Sequence, residues 1–276
     1  MIGTPNLPPN YTLDDLTNLN ANSGYYELHA SYINIRQQAL QEAAQALGMQ
    51  AALNYESNAI DALLMEHSEE LNRIFDFNQV MYQDNILPPV LTKADNLVNI
   101  NPEGNTIRIA GTTYNIIAPV KFVTAPPTWR DYIWLAYPHP NLPDKSLLPE
   151  NKQEQAFWRA NVMQGWMQGI NQALSIFTIN LNTLSRDYNG MVLYKELLVQ
   201  NRVSPYYVDH TEQGITGNGR HMVIDDRTMQ ITAQPQLLYK SQSWEATPVS
   251  IEAAPQAASS LEDALDKAVK FNAISK

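Results

Sequence analysis

No cysteine occurs in the 276 residues, which excludes disulfide staples and thiolate metal centres. Charge is scarce as well: 17% of the residues are ionised, 28 acidic against 18 basic, for a net charge of −10. Binding to nucleic-acid phosphates needs clustered Lys and Arg that release counterions, so this balance argues against a nucleic-acid reader. No run approaches the ~18 apolar residues of a bilayer-spanning helix. The opening stretch MIGTPNLPPNYT has neither the basic nor the apolar region of a signal peptide, so the chain reads as cytosolic or already trimmed. Polar character comes instead from amides, with 45 Asn and Gln beside 46 ionised residues. Such a surface can be covered by partners without stripping water from many ions.

Residues 1–24 are rich in Pro, Asn and Thr and bury too little to offset ordering, so they read as an extended leader. Two helical stretches follow. In Tyr25–Asn54 the positions Leu28, Tyr32, Ile35, Ala39, Ala43 and Ala46 share a face, with Gly48 placed to end or loosen the helix. In Glu56–Tyr82 the stripe is Ile60, Leu63, Leu64, His67, Leu71, Ile74 and Phe75. Pro88 and Pro89 stop helix formation and set the exit from what reads as an αα-hairpin. The period changes in residues 97–124, where β-branched runs flank Ala110-Gly111-Thr112 as a hairpin turn, and Val120–Thr124 offers a further strand. Residues 125–149, dense in Pro and aromatics, read as an ordered excursion.

The strongest period lies in Asn151–Asn201. Met163, Trp166, Ile170, Leu174, Phe177, Leu181, Leu184, Tyr188 and Met191 step by three or four, close to a heptad seam. Gly165, Gly169 and Gly190 imply a break or a close crossing. A second hairpin is expected over residues 220–233, with Asp225-Asp226-Arg227-Thr228 as its turn and GITGNG before it. Residues 247–276 read as a linker and a short C-terminal helix, with Ser259 and Glu262 at capping-box spacing.

Chemistry-bearing motifs are thin. His210-Thr211-Glu212 matches the His-x-Glu of zinc deaminases, but that site also needs thiolates. His67 has no second histidine one turn away and reads as a core residue. The Gly214–Gly219 cluster lacks the Lys-Ser or Lys-Thr of a phosphate loop, and Asp225 and Asp226 fit turn chemistry. The aromatic stretch Trp129–Tyr137 has two open readings. Its rings either fill the core or form a partner-binding patch, with Trp129, Arg130 and Trp134 as the anchors typical of hot spots.

Several long strings, in order, carry a family resemblance: IRQQALQEAAQALGMQAALNYES at 35–57, LNRIFDFNQVM with NILPPVL at 71–91, and FVTAPPTWRDYIWLAY at 122–137. LLPENKQEQAFW with GWMQGINQA at 147–173, RDYNGMVLYKELL with VSPYYV at 186–208, and GITGNGRHMVIDDRTMQIT at 214–232 complete the set. Over roughly residues 30–246 the chain resembles the DotC family, lipoproteins of type IVB secretion systems with counterparts in plasmid conjugation machines. The resemblance implies a non-catalytic outer-membrane core component. It would be anchored at the periplasmic face by a lipid on an N-terminal Cys, which this chain lacks. DotD-like and DotH-like subunits and neighbouring copies in a ring are the implied partners, the DotH-like subunit being helped to the outer membrane.

The expectation is therefore an α+β fold: one predominantly helical domain at 25–246 with small antiparallel β-hairpins, between the leader at 1–24 and the tail at 247–276. It is expected to act as a scaffold, with no catalytic residue, metal, cofactor or nucleic acid. The rival reading is a periplasmic cell-wall-acting enzyme with paired carboxylates drawn from Asp131, Glu154 and Asp187. A periplasmic chaperone that captures clients transiently is a third.

Overall fold

The computed structural model describes residues 12–17, 30–83, 85–218, 220–240, 242 and 244. Most of the expected leader and the whole 247–276 tail, including its expected helix, lie outside them. In chain order the helices are α1 (Leu13–Thr17), α2 (Ala30–Glu66), α3 (Ser68–Ile74), α4 (Phe77–Val80), α5 (Arg130–Ile133) and α6 (Lys152–Val199). The strands are β1 (Ile86–Leu87), β2 (Val90–Ile100), β3 (Ile107–Ala118), β4 (Lys121–Phe122), β5 (Tyr207–Asn218) and β6 (His221–Ala233). The fold is α+β and mostly helical, the strands among the described residues being joined as antiparallel pairs, β1 with β4, β2 with β3 and β5 with β6. The described residues fall into two compact units, one within 1–70 and 130–182 and the other within 71–129 and 183–276.

The first unit is built on α2 and the N-terminal part of α6. The 37 residues of α2 run unbroken through Gly48 and past Asn54, so the expected hairpin break at 54–56 is absent. The reason lies in packing: a Cβ on Gly48 would collide with the Val162 carbonyl, and one on Gly169 would lie 2.5 Å from Met49 O. Gly165 faces the Gln45 backbone in the same way. These glycines are close-crossing points, and the helical cost of glycine, about 1 kcal/mol each, is offset by the packing they permit.

The buried face of α2 is Leu40, Ala44, Leu47 and Ala51, packed with Trp158, Val162 and Trp166 of α6. It is rotated from the expected stripe, whose Ile35 and Ala46 are exposed. Burial of the two leucines, about 1.5–3 kcal/mol each, outweighs that of alanines. Leu13 of α1 packs on this cluster, so part of the expected extended leader is a helical turn. Asn151 caps α6 by accepting from the Glu154 amide at 2.8 Å, as a short amide side chain does at an N-cap.

In the second unit the C-terminal part of α6 buries Leu184, Tyr188, Met191, Tyr194 and Leu197. Phe75 and Phe77 set their rings edge-on to Tyr188 at 5.6 and 5.3 Å. Of the expected seam, Trp166, Phe177, Leu181, Leu184, Tyr188 and Met191 are buried, whereas Met163 is exposed. The helix spans about 72 Å at ~1.5 Å per residue. It ends on Asn201 in the left-handed region, with the Arg202 amide donating to Leu197 O at 2.8 Å, a Schellman-type stop.

Both hairpins form where the period changes, but their turns are elsewhere. Gly111 and Asp225-Asp226-Arg227-Thr228 sit inside strands. The first turn is Asn101–Thr106, with Gly104 at φ 70° and the Asn101 side chain accepting from the Thr106 amide. Strand β4 joins β1 rather than extending this hairpin.

Candidate protein interface

The anchors expected from the aromatic stretch separate on burial. Trp129 is 1% exposed and its indole N–H donates to Asn72 Oδ1 at 2.8 Å. It is a core residue of the second unit and has no face to offer a partner. Trp134, in the first unit, is 40% exposed, and Arg130 is half-buried. Tyr137 serves the same unit through its carbonyl, which accepts from Asn54 Nδ2 at 2.7 Å.

Of the three carboxylates named for a catalytic pair, Glu154 and Asp187 are each engaged by an arginine. Glu154 receives Arg36 Nε at 2.9 Å and Nη2 at 3.0 Å, and the Glu150 amide. Burial pushes its carboxyl up, but Arg36 and the amide outweigh that and hold it below the usual range. Asp187 lies 2.7 Å from the neighbouring Arg186, and Asp131 is exposed on α5. His67, expected in the core, instead stands half-exposed, Nδ1 3.7 Å from Glu70. His210 and Glu212 are exposed on β5. Among the described residues no cluster of three His, Asp or Glu side chains could hold a metal ion, and no helix is long and apolar enough to cross a membrane.

What the second unit does offer is two β-ribbons that are exposed on both faces beyond their roots. The roots are fixed. Gln234 clasps Val120, Oε1 accepting from its amide at 3.0 Å and Nε2 donating to its carbonyl at 3.2 Å. Leu91, Tyr114, Ile116 and Leu237 pack around Tyr194 and Leu197. There Lys195 donates to Gln79 O at 2.7 Å and lies over the Tyr82 ring, while burial pushes its ammonium down.

Away from the roots the side chains sort by face, because alternate strand residues point the same way. Val98 pairs with Ile109 and Ile100 with Ile107, so these four share one face of the β2–β3 arm. They are 54, 68, 57 and 59% exposed, respectively. The opposite face is mixed: Lys93 lies 2.9 Å from Asp95, which also receives the Thr112 hydroxyl at 2.7 Å, and Leu97, paired with Ala110, is exposed beside them. On the β5–β6 arm Ile215 pairs with Ile224 and Gly217 with Met222, placing three exposed apolar side chains together near the turn. A bulge beside Gly214, with Asp225 at φ 58°, bends this arm. The sequence contained the signal as β-branched pairs at even spacing, but a turn placed at Gly111 would have split it.

Within the second unit, both ribbons thus leave clustered apolar side chains exposed beyond their roots. The chain belongs to a sequence family described as type IV secretory system, conjugal DNA-protein transfer, TraI, which matches residues 34–246. A search of the curated proteins found no match.

Proposed function

We propose that this protein is a DotC-like structural component of the outer-membrane core of a type IVB secretion or conjugation machine. It sits at the periplasmic face of the outer membrane and helps to place a DotH-like subunit there, beside a DotD-like subunit and neighbouring copies. Family membership supports the machine. The observation that carries the role is the pair of ribbons whose apolar faces are left uncovered in the described residues. Exposed apolar faces rimmed by polar ones are typical of protein contacts, and burying them, not making bonds, is the output of such a component.

The reading is tested in cells that carry the machine and lack this gene. The DotH-like subunit is expected to leave the outer-membrane fraction and transfer to stop, and the full chain with its native targeting to restore both. Correct placement of the DotH-like subunit without the gene overturns the role. Release of soluble fragments from purified peptidoglycan would also overturn it, in favour of cell-wall cleavage.

A further inference from the structure

We propose that the apolar face of the β2–β3 arm, formed by Val98, Ile100, Ile107 and Ile109, binds the same face of a second copy of this chain. The proposal rests on the reading of the protein as an assembly component and identifies one of its contacts. A two-stranded ribbon alone is marginal in water, and this one exposes four β-branched side chains on a single face. Its other face carries the Lys93–Asp95–Thr112 cluster and a single exposed large apolar side chain, Leu97, so the four-residue face is the larger apolar surface.

Charge selects the occupant. Two chains of net charge −10 repel unless the contacting parts are neutral. The β2–β3 arm is neutral, Lys93 and Arg108 matching Asp95 and Glu103. The β5–β6 arm carries Asp209, Glu212, Asp225 and Asp226 against Arg220 and Arg227, so self-contact there is opposed. A lipid bilayer is a poor alternative, because the turn that would enter it first is polar, with Asn101 Nδ2 donating to both Glu103 and Asn105.

Size sets the strength. Four half-exposed β-branched side chains offer on the order of 400 Å² of patch, within the range of functional patches. Two copies then remove roughly 800 Å², below the ~1,200 Å² of stable complexes. The contact is thus weak in solution and strengthened where copies are held together. A face that meets itself is isologous, so it joins copies in pairs and is a different contact from the one that repeats around a ring.

Sedimentation velocity of the full chain from 1 to about 200 µM tests this, with a dimer expected to grow in at tens of micromolar. The double substitution Val98→Asp with Ile109→Asp is expected to weaken association at least tenfold with unchanged helical circular dichroism. Ile107→Thr with Ile109→Thr, which keeps β-branching, should weaken it as well. Ile215→Asp with Ile224→Asp on the other arm should leave it unaltered. A wild type that stays monomeric overturns the proposal, as does a dimer that survives both β2–β3 variants or is lost on changing the β5–β6 arm. Flotation with phosphatidylcholine vesicles that Val98→Asp with Ile109→Asp abolishes would assign the face to lipid and overturn it too. A monomeric protein that still restores DotH-like placement defeats this inference alone; an intact dimer with no effect on placement defeats the functional reading.

Discussion

Glu56 stands on α2 only 7% exposed, and burial pushes its carboxyl up from the usual range. A carboxyl that binds its proton more readily folded than unfolded lowers stability as pH rises through the window between the two values. Below that window it costs nothing. Glu56→Gln removes the ionisable group, so the variant should be more stable than the wild type at pH 8, by about 1 kcal/mol, and the gap should close toward pH 4. Urea unfolding at the two pH values measures this, and an equal gap at both would show that ionisation is not the cause.

Arg36 gives the opposite sign. It joins α2 to the start of α6 through Glu154 and donates to the Ser146 and Leu148 carbonyls at 2.9 and 3.2 Å. With the Glu154 carboxyl held low, this stability is present above the ordinary carboxylate range and lost as pH falls through the folded value. Arg36→Met is expected to cost about 2 kcal/mol at pH 7 and less at pH 3. A deficit that does not shrink in acid would mean that the carbonyl bonds, and not the ion pair, carry it.

Among elements, the crossing of α2 and α6 is the most sensitive. Gly165→Ala drives a Cβ into the Gln45 backbone, and neither helix can yield locally, so a loss of about 3 kcal/mol is expected in thermal or urea unfolding. Gly111→Ala is the control: nothing lies within 4 Å of a Cβ there, and β3 should be unaffected or slightly firmer.

Gly111 and Gly48 show what the sequence made legible. The long seam of α6 was readable because a three-and-four step survives any neighbour. Glycine was ambiguous, since the same residue marks a turn in a strand pattern and a contact point in a helix pattern. Gly111 was assigned to a turn and Gly48 to the end or loosening of a helix; Gly48 instead packs on the α6 backbone, and Gly111 lies mid-strand in a hairpin that turns at Asn101–Thr106. Leu40 and Leu47 were missed for a related reason: in an alanine-rich helix several faces are apolar, and only the partner helix decides which is buried. The candidate surface was half-legible. Trp129 was singled out as a hot-spot anchor, but its indole N–H found Asn72, whereas the β-branched runs of the arm were read as a hairpin and not as a surface.

At the scale of the whole molecule, membership in a conjugal DNA-protein transfer family makes DNA an obvious candidate partner, and the charge distribution opposes it. Affinity for duplex DNA grows with each phosphate neutralised by Lys or Arg. The chain has 18 such residues against 28 acids, and several are engaged within the protein, Arg36 with Glu154, Lys93 with Asp95 and Arg186 with Asp187. Arg220 and Arg227 share the β5–β6 arm with four acids. Fluorescence anisotropy with a labelled 25-base-pair duplex at about 150 mM salt should therefore show no binding tighter than ~100 µM, the weak end of non-specific protein–DNA affinity. Micromolar binding that falls steeply with salt would mean that the protein touches the transferred strand directly and is more than a structural support around it.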